Sequence, residues 1–151
     1  MKALSLIQIV IALVLTTAVF AGNCGGNCPD NSCVRCLCGT QPSYVSIDEY
    51  CALGWRWNQN CCKCIVSKLS KGNQNFQRTV LFSVLEQEWL GVLPIQIENV
   101  EKVCNNIQKP TDLCDFRINA QCAEHFVIEN KKSWSLWSGA ALTCGCPLNA
   151  E

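Results

Sequence analysis

Apolar and polar positions change period several times along the chain, and each change marks an element. From Ala3 to Phe20 the residues are apolar, interrupted only by Ser5, Gln8, Thr16 and Thr17. Met1-Lys2 ahead of the run and Val19-Phe20-Ala21 behind it complete the pattern of a cleavable signal peptide over residues 1–21, cut before Gly22. A single-span anchor is the competing reading; it lacks a basic stop-transfer flank, and Cys24 follows at once. Ser46-Ile47-Asp48-Glu49 is a capping box that opens a short helix through Cys51 to about Gly54. Asn58 or Asn60 opens a second helix carrying Cys61, Cys64, Ile65, Lys68 and Leu69 and closed by Gly72, with Cys61, Cys64, Ile65 and Leu69 on its buried face. Val80, Leu81, Val84, Leu85 and Trp89 recur at helical spacing and predict an amphipathic helix over Phe76–Leu90. Gly91–Val100 reads as extended in part, with Pro94 confining it to an edge or loop. Asn119–Glu129 is a further helix that buries Ala120, Ala123, Phe126 and Val127, and Ser133–Trp137 begins a last short helix or turn.

The cysteines change this picture most. All fourteen lie beyond the expected cut: Cys24, Cys28, Cys33, Cys36, Cys38, Cys51, Cys61, Cys62, Cys64, Cys104, Cys114, Cys122, Cys144 and Cys146. An even count at this density marks a disulfide scaffold, whose connectivity is not readable from sequence. Cys33-x2-Cys36 and Cys61-Cys62-x-Cys64 have the spacing of zinc ligands, but in an oxidising compartment the thiols form disulfides first, so no metal is expected. Nine cysteines crowd into Gly22–Cys64, where apolar residues are few, so bridges must hold that arm. The later residues compose an ordinary small core. The formal net charge is zero, and losing Lys2 with the leader makes the chain slightly acidic. Without a basic cluster, nucleic acid is not an expected partner. No other stretch spans a bilayer, so the chain is expected to be secreted and monomeric, with no stable membrane insertion after cleavage and no cofactor.

Four segments, in order, resemble the lysozyme superfamily. Cys64-Ile65-Val66-Ser67-Lys68-Leu69-Ser70-Lys71-Gly72-Asn73 has the spacing of that family's Cys-x4-Glu-Ser-x-x-Asn. Gly91-Val92-Leu93-Pro94-Ile95-Gln96 is similar to its Gly-(Ile/Val)-x-Gln-Ile-Asn cleft strand. Asn119-Ala120-Gln121-Cys122-Ala123 and Trp134-Ser135-Leu136-Trp137 are similar to its Asn-Cys-Ala helix and Trp-x-x-Trp. The dense N-terminal arm resembles the Cys-rich extension of lysozyme-like proteins from protists.

The resemblance implies an α+β fold, mainly α, with a reduced or rebuilt β-lobe and a disulfide-rich arm: residues 22–59 as extension, 60–151 as lysozyme-like domain. It also implies a cleft for β-1,4-linked amino-sugar polymers, with Ser70, Asn73, Gln96, Trp134 and Trp137 as candidate sugar contacts. Glycosidases of this class need a protonated carboxylic acid for the leaving oxygen and a second carboxylate for the oxocarbenium-like centre. The position matching the acid is Leu69, and that matching the second carboxylate is Trp89. Where the family has an Asn/Gly-rich hairpin, residues 74–88 have lost hairpin turn residues and gained helical period, through a rebuilt β-lobe or a disturbed reading frame.

Glu88, beside Trp89, is the best candidate for a replacement acid, against a plain solvated carboxylate shared with Glu86 on a helix face. Trp134 and Trp137 are sugar platforms or core aromatics. His125 reads as a surface residue, and Asp112 and Asp115 as turn or cap residues. The leading expectation is a secreted lysozyme-like protein that recognises peptidoglycan or chitin and has lost glycosidase chemistry. The alternatives are an active glycosidase using Glu88 and a Cys-rich extracellular interaction protein.

Overall fold

The computed structural model describes residues 36–82, 85–100 and 104–149. The leader, its cut, and Cys24, Cys28 and Cys33 lie outside the described residues. The fold is α+β and mainly helical. Helix α1 (Ile47–Ala52) starts at Ser46, whose hydroxyl accepts the Glu49 N–H, and α2 (Gln59–Lys68) starts at Asn58, whose side chain accepts the Cys61 N–H. Each cap satisfies an amide that the first helical turn cannot. Strands β1 (Gln77–Phe82), β2 (Leu85–Leu90) and β3 (Ile95–Gln96) form one antiparallel sheet in that order. Helix α3 (Phe116–Glu129) is capped by Asp115, and a 3₁₀ turn over Ser135–Trp137 leads into α4 (Ser138–Thr143). Among the described residues no helix is long and apolar enough to cross a membrane.

The helix expected over Phe76–Leu90 is instead a β-hairpin. Gln77 pairs with Leu90, Thr79 with Glu88 and Phe82 with Leu85. The apolar doublets Val80-Leu81 and Val84-Leu85 satisfy a helical period and a strand period alike, so spacing cannot decide between them. Pairing decides: β2 has β1 on one side and β3 on the other, and Leu90 and Ile95 are buried. Tertiary contacts override weak local preference in this way. The Gly91–Val100 stretch divides into a turn, the short β3 and a 3₁₀ turn over Ile97–Asn99.

One core joins all these elements. Tyr50 and Cys51 from α1, Ile65 and Val66 from α2, Leu90–Leu93 around the end of β2, and Ala120, Ala123 and Val127 from α3 pack together. The extension as read from sequence therefore shares its core with the rest of the chain from α1 onward. Disulfides join Cys38 to Cys114, Cys51 to Cys62, Cys61 to Cys146, Cys64 to Cys144 and Cys104 to Cys122. Cys36 is also disulfide-bonded. With Cys61, Cys62 and Cys64 each in a bridge, the zinc-like spacing on α2 offers no thiolate.

Asn119 on α3 is the polar centre of this core. Its Oδ1 accepts from the Tyr50 hydroxyl and the Leu93 N–H, while its Nδ2 donates to the Leu90 and Leu93 carbonyls. Gly91 takes a left-handed conformation (φ 97°) beside it, and a Cβ there would lie 2.1 Å from Asn119 Nδ2 and 2.5 Å from the Leu113 carbonyl oxygen. Only glycine allows that approach.

Burial pushes the Tyr50 phenol well above its ordinary value of about 10, partly opposed by a backbone hydrogen bond from Leu93. Below about pH 10 the phenol is protonated in both folded and unfolded chains, and its stabilising contribution is whole. Above that, the unfolded chain releases a proton that the folded chain retains, so stability falls as pH rises. Urea unfolding between pH 9 and 11 is expected to show this loss, approaching about 1.4 kcal/mol per pH unit. Tyr50→Phe should remove that slope; an unchanged slope would assign it to other groups.

Candidate functional site

A cleft of about 260 Å³ opens between the hairpin and the turn that leads into α4. Leu69, at the C-terminal cap of α2, stands in it. Phe76, Arg78, Gln87 and Trp89 line one side, and Pro94, Leu136, Trp137 and Ser138–Ala140 line the other. The strand register explains the first wall. Arg78 and Trp89 are cross-strand partners, so their side chains share a face, and Gln87 lies on the same face two residues before Trp89. The second wall is fixed by Trp137, whose indole N–H donates to the Pro94 carbonyl at 2.7 Å.

Behind that wall three indoles pack in series, tilted against one another. Trp57 and Trp134 have ring centroids 5.5 Å apart with 35° between their planes, and Trp134 and Trp137 6.0 Å apart with 49°. Trp134 is only 1% exposed and is a core residue, whereas Trp137 sits at the end of the row, where the core meets the cleft. The row packs Trp137 against the core.

The remaining sequence-derived candidates fall into separate places. The Ser70 hydroxyl is buried and donates to the Val92 carbonyl at 2.6 Å, tying the end of α2 to the turn after β2. Asn73 is buried too; its Oδ1 accepts the Ser43 and Asn75 N–H groups and so anchors the segment preceding α1. Gln96 lies on β3 opposite Trp89 but does not line the cleft. Glu88 alternates with Trp89 along β2 and pairs with Thr79, so it points to the opposite face of the sheet, where it is 7% exposed. His125 borders a different shallow pocket with Arg56 and Gln121. Asp115 caps α3, and the Gln108 and Lys109 N–H groups hold the Asp112 carboxyl below its usual range.

Leu69 and Trp89, the positions that the lysozyme pattern assigns to acid and second carboxylate, thus border one cavity. Among the described residues its lining has no carboxylate and no imidazole. It offers hydrocarbon, aromatic faces, one guanidinium and an amide. Such a surface can stack against the apolar face of a ring and bond to hydroxyl or acetamido groups, but it supplies no proton to a leaving oxygen. Sequence reasoning passed over Phe76, Arg78 and Gln87, because Arg78 and Gln87 share the face of Trp89 only once the hairpin is paired. No family model, curated protein or solved structure matches this chain.

Proposed function

We propose that the protein is a secreted, lysozyme-like binder of β-1,4-linked amino-sugar polymers, peptidoglycan or chitin, without glycosidase activity. The observation that carries this reading is the shared cavity of Leu69 and Trp89, lined by aromatic rings and free of acids among the described residues. The disulfides among the described residues are consistent with an extracellular place. Loss of general acid catalysis alone removes about a hundred- to ten-thousand-fold in rate. Glu88, on the other face of the sheet, is no substitute.

The test is saturable binding of the disulfide-bonded protein to insoluble peptidoglycan and chitin, alongside release of reducing ends. Binding without turnover is expected. Leu69→Glu should remain without turnover, since Trp89 still stands where the second carboxylate is required. Turnover by the unmodified protein would refute the loss of chemistry, and its survival in Glu88→Gln would also clear that residue. A cysteine-rich interaction protein unrelated to sugars is the second reading, favoured by Trp55, which is 80% exposed and far more accessible than the other described indoles. It predicts no saturable binding to either polymer.

A further inference from the structure

We propose that the cleft selects amino-sugar chains that carry carboxylates over neutral ones, with Arg78 as the specificity-determining residue. The inference rests on the sugar-binding reading above and narrows its ligand class. Arg78 is the one charged side chain lining the cleft among the described residues, and it makes no ion pair among them. Its cross-strand partner is Trp89, and Leu69, Phe76 and Trp137 complete a largely apolar surround.

Arg78 is an exposed side chain, so its guanidinium stays hydrated yet open to an incoming anion, with aromatic and apolar groups beside it. Its planar fork matches both oxygens of a carboxylate, a fit that a hydroxyl or acetamide reproduces less well. The lysozyme pattern puts negative charge on this cleft to meet a developing cation. Here the two carboxylate positions are Leu69 and Trp89, and the remaining fixed charge is positive. The sign of the cleft is inverted. A carboxylate substituent of a bound ring that reaches Arg78 gains a charge-assisted bond there. Carboxylates reach such polymers from two sources, the lactyl ether of a muramyl residue and the ring carboxylate of a uronic acid.

Three tetrasaccharides separate the cases by titration calorimetry at low salt. They are neutral chitotetraose, a β-1,4-linked glucosaminyl–muramyl tetramer with free lactyl carboxylates, and a hyaluronan tetramer bearing uronic acids. At least one anionic tetramer is expected to bind about tenfold tighter than chitotetraose, which is the worth of one charged hydrogen bond. The tighter of the two identifies the carboxylate source. The preference should shrink on raising salt from 0.02 to 0.5 M, both being experimental settings of roughly these values. In Arg78→Gln, whose fold is checked by thermal unfolding, the affinity ratio should collapse toward one. Equal affinities for neutral and anionic tetramers in the unmodified protein would overturn the inference while leaving sugar binding intact. So would a preference that persists in Arg78→Gln. Failure of all three tetramers to bind would remove the sugar reading and this inference together.

Discussion

Replacing all four cysteines of the Cys61–Cys146 and Cys64–Cys144 bridges by alanine is expected to cost about 7 kcal/mol, whereas removing either bridge alone costs about 2 kcal/mol. The two bridges run side by side from α2 to the chain around the end of α4, with sequence separations of 85 and 80. Either one alone closes a very long loop in the unfolded chain, worth about 4–5 kcal/mol of lost entropy. Once one is present, the other closes only a ring of about seven residues, and its added constraint falls to about 2 kcal/mol. The single losses together therefore understate the double loss by about 3 kcal/mol. Denaturant unfolding of the two paired variants and the quadruple variant measures this coupling. Strictly additive losses would show that the unfolded chain does not experience the bridges as redundant. Small domains have about 5–15 kcal/mol in total, so the quadruple variant is expected to sit at or beyond its unfolding threshold. The cleft is at stake as well: Leu69 caps α2, Ser138–Ala140 begin α4, and the bridges hold these two walls together.

The helices were legible because their signals are local. Ser46 and Asn58 can act as caps only just before a helix, and the apolar spacing after Asn58 leaves one face to bury. The hairpin was not legible, since its evidence is non-local. Nothing between Phe82 and Leu85 carries the Asn-Gly or Asp-Gly signal of a tight turn, and the apolar doublets suit a helix equally well. What makes strands of these residues is the partner that each finds, including Ile95 and Gln96 beyond the Gly91 turn. Disulfide pairing was illegible for the same reason. Adjacent Cys61 and Cys62 take partners at Cys146 and Cys51, in opposite directions along the chain, because neighbouring helical positions face different elements.

The structure brings only part of the candidate site read from the sequence to one cavity. Leu69, Trp89 and Trp137, singled out from the sequence, meet in one cavity. Ser70, Asn73 and Trp134 were singled out equally, yet each is buried in the frame around the cleft rather than in its lining. A polar side chain near a cleft serves backbone groups first when those groups are buried, and both Ser70 and Asn73 do so. For Glu88 the error has one source. On a helix it would lie near Trp89, about a third of a turn round the same cylinder, whereas on a strand consecutive residues face apart. The secondary structure of one segment thus decides both the fold of the sheet and the chemistry of the site.

The same dependence makes Asn119 the residue whose loss should be felt most widely. Asn119→Ala is expected to cost about 4 kcal/mol, because it strips the buried Leu93 N–H, the Leu90 and Leu93 carbonyls and the Tyr50 hydroxyl of a shared partner. An alanine leaves space there but no donor or acceptor, and the turn after β2 has no solvent to turn to, since Val92 and Leu93 are fully buried. The damage should spread to ligand binding, as that turn runs directly into Pro94, whose carbonyl positions Trp137 on the cleft wall. Unfolding by denaturant measures the first effect, and binding to chitotetraose measures the second. Asn119→Asp separates hydrogen bonding from packing, since it keeps the shape but places a carboxylate oxygen against two carbonyls. Burial and those carbonyls favour its protonated form, which can still donate, so its folded-state value lies above that of the unfolded chain. Its stability should then be highest below about pH 4 and fall as the pH rises toward neutrality. An Asn119→Asp variant as stable at pH 7 as at pH 4 would show that the side-chain amide is not the donor that holds this turn.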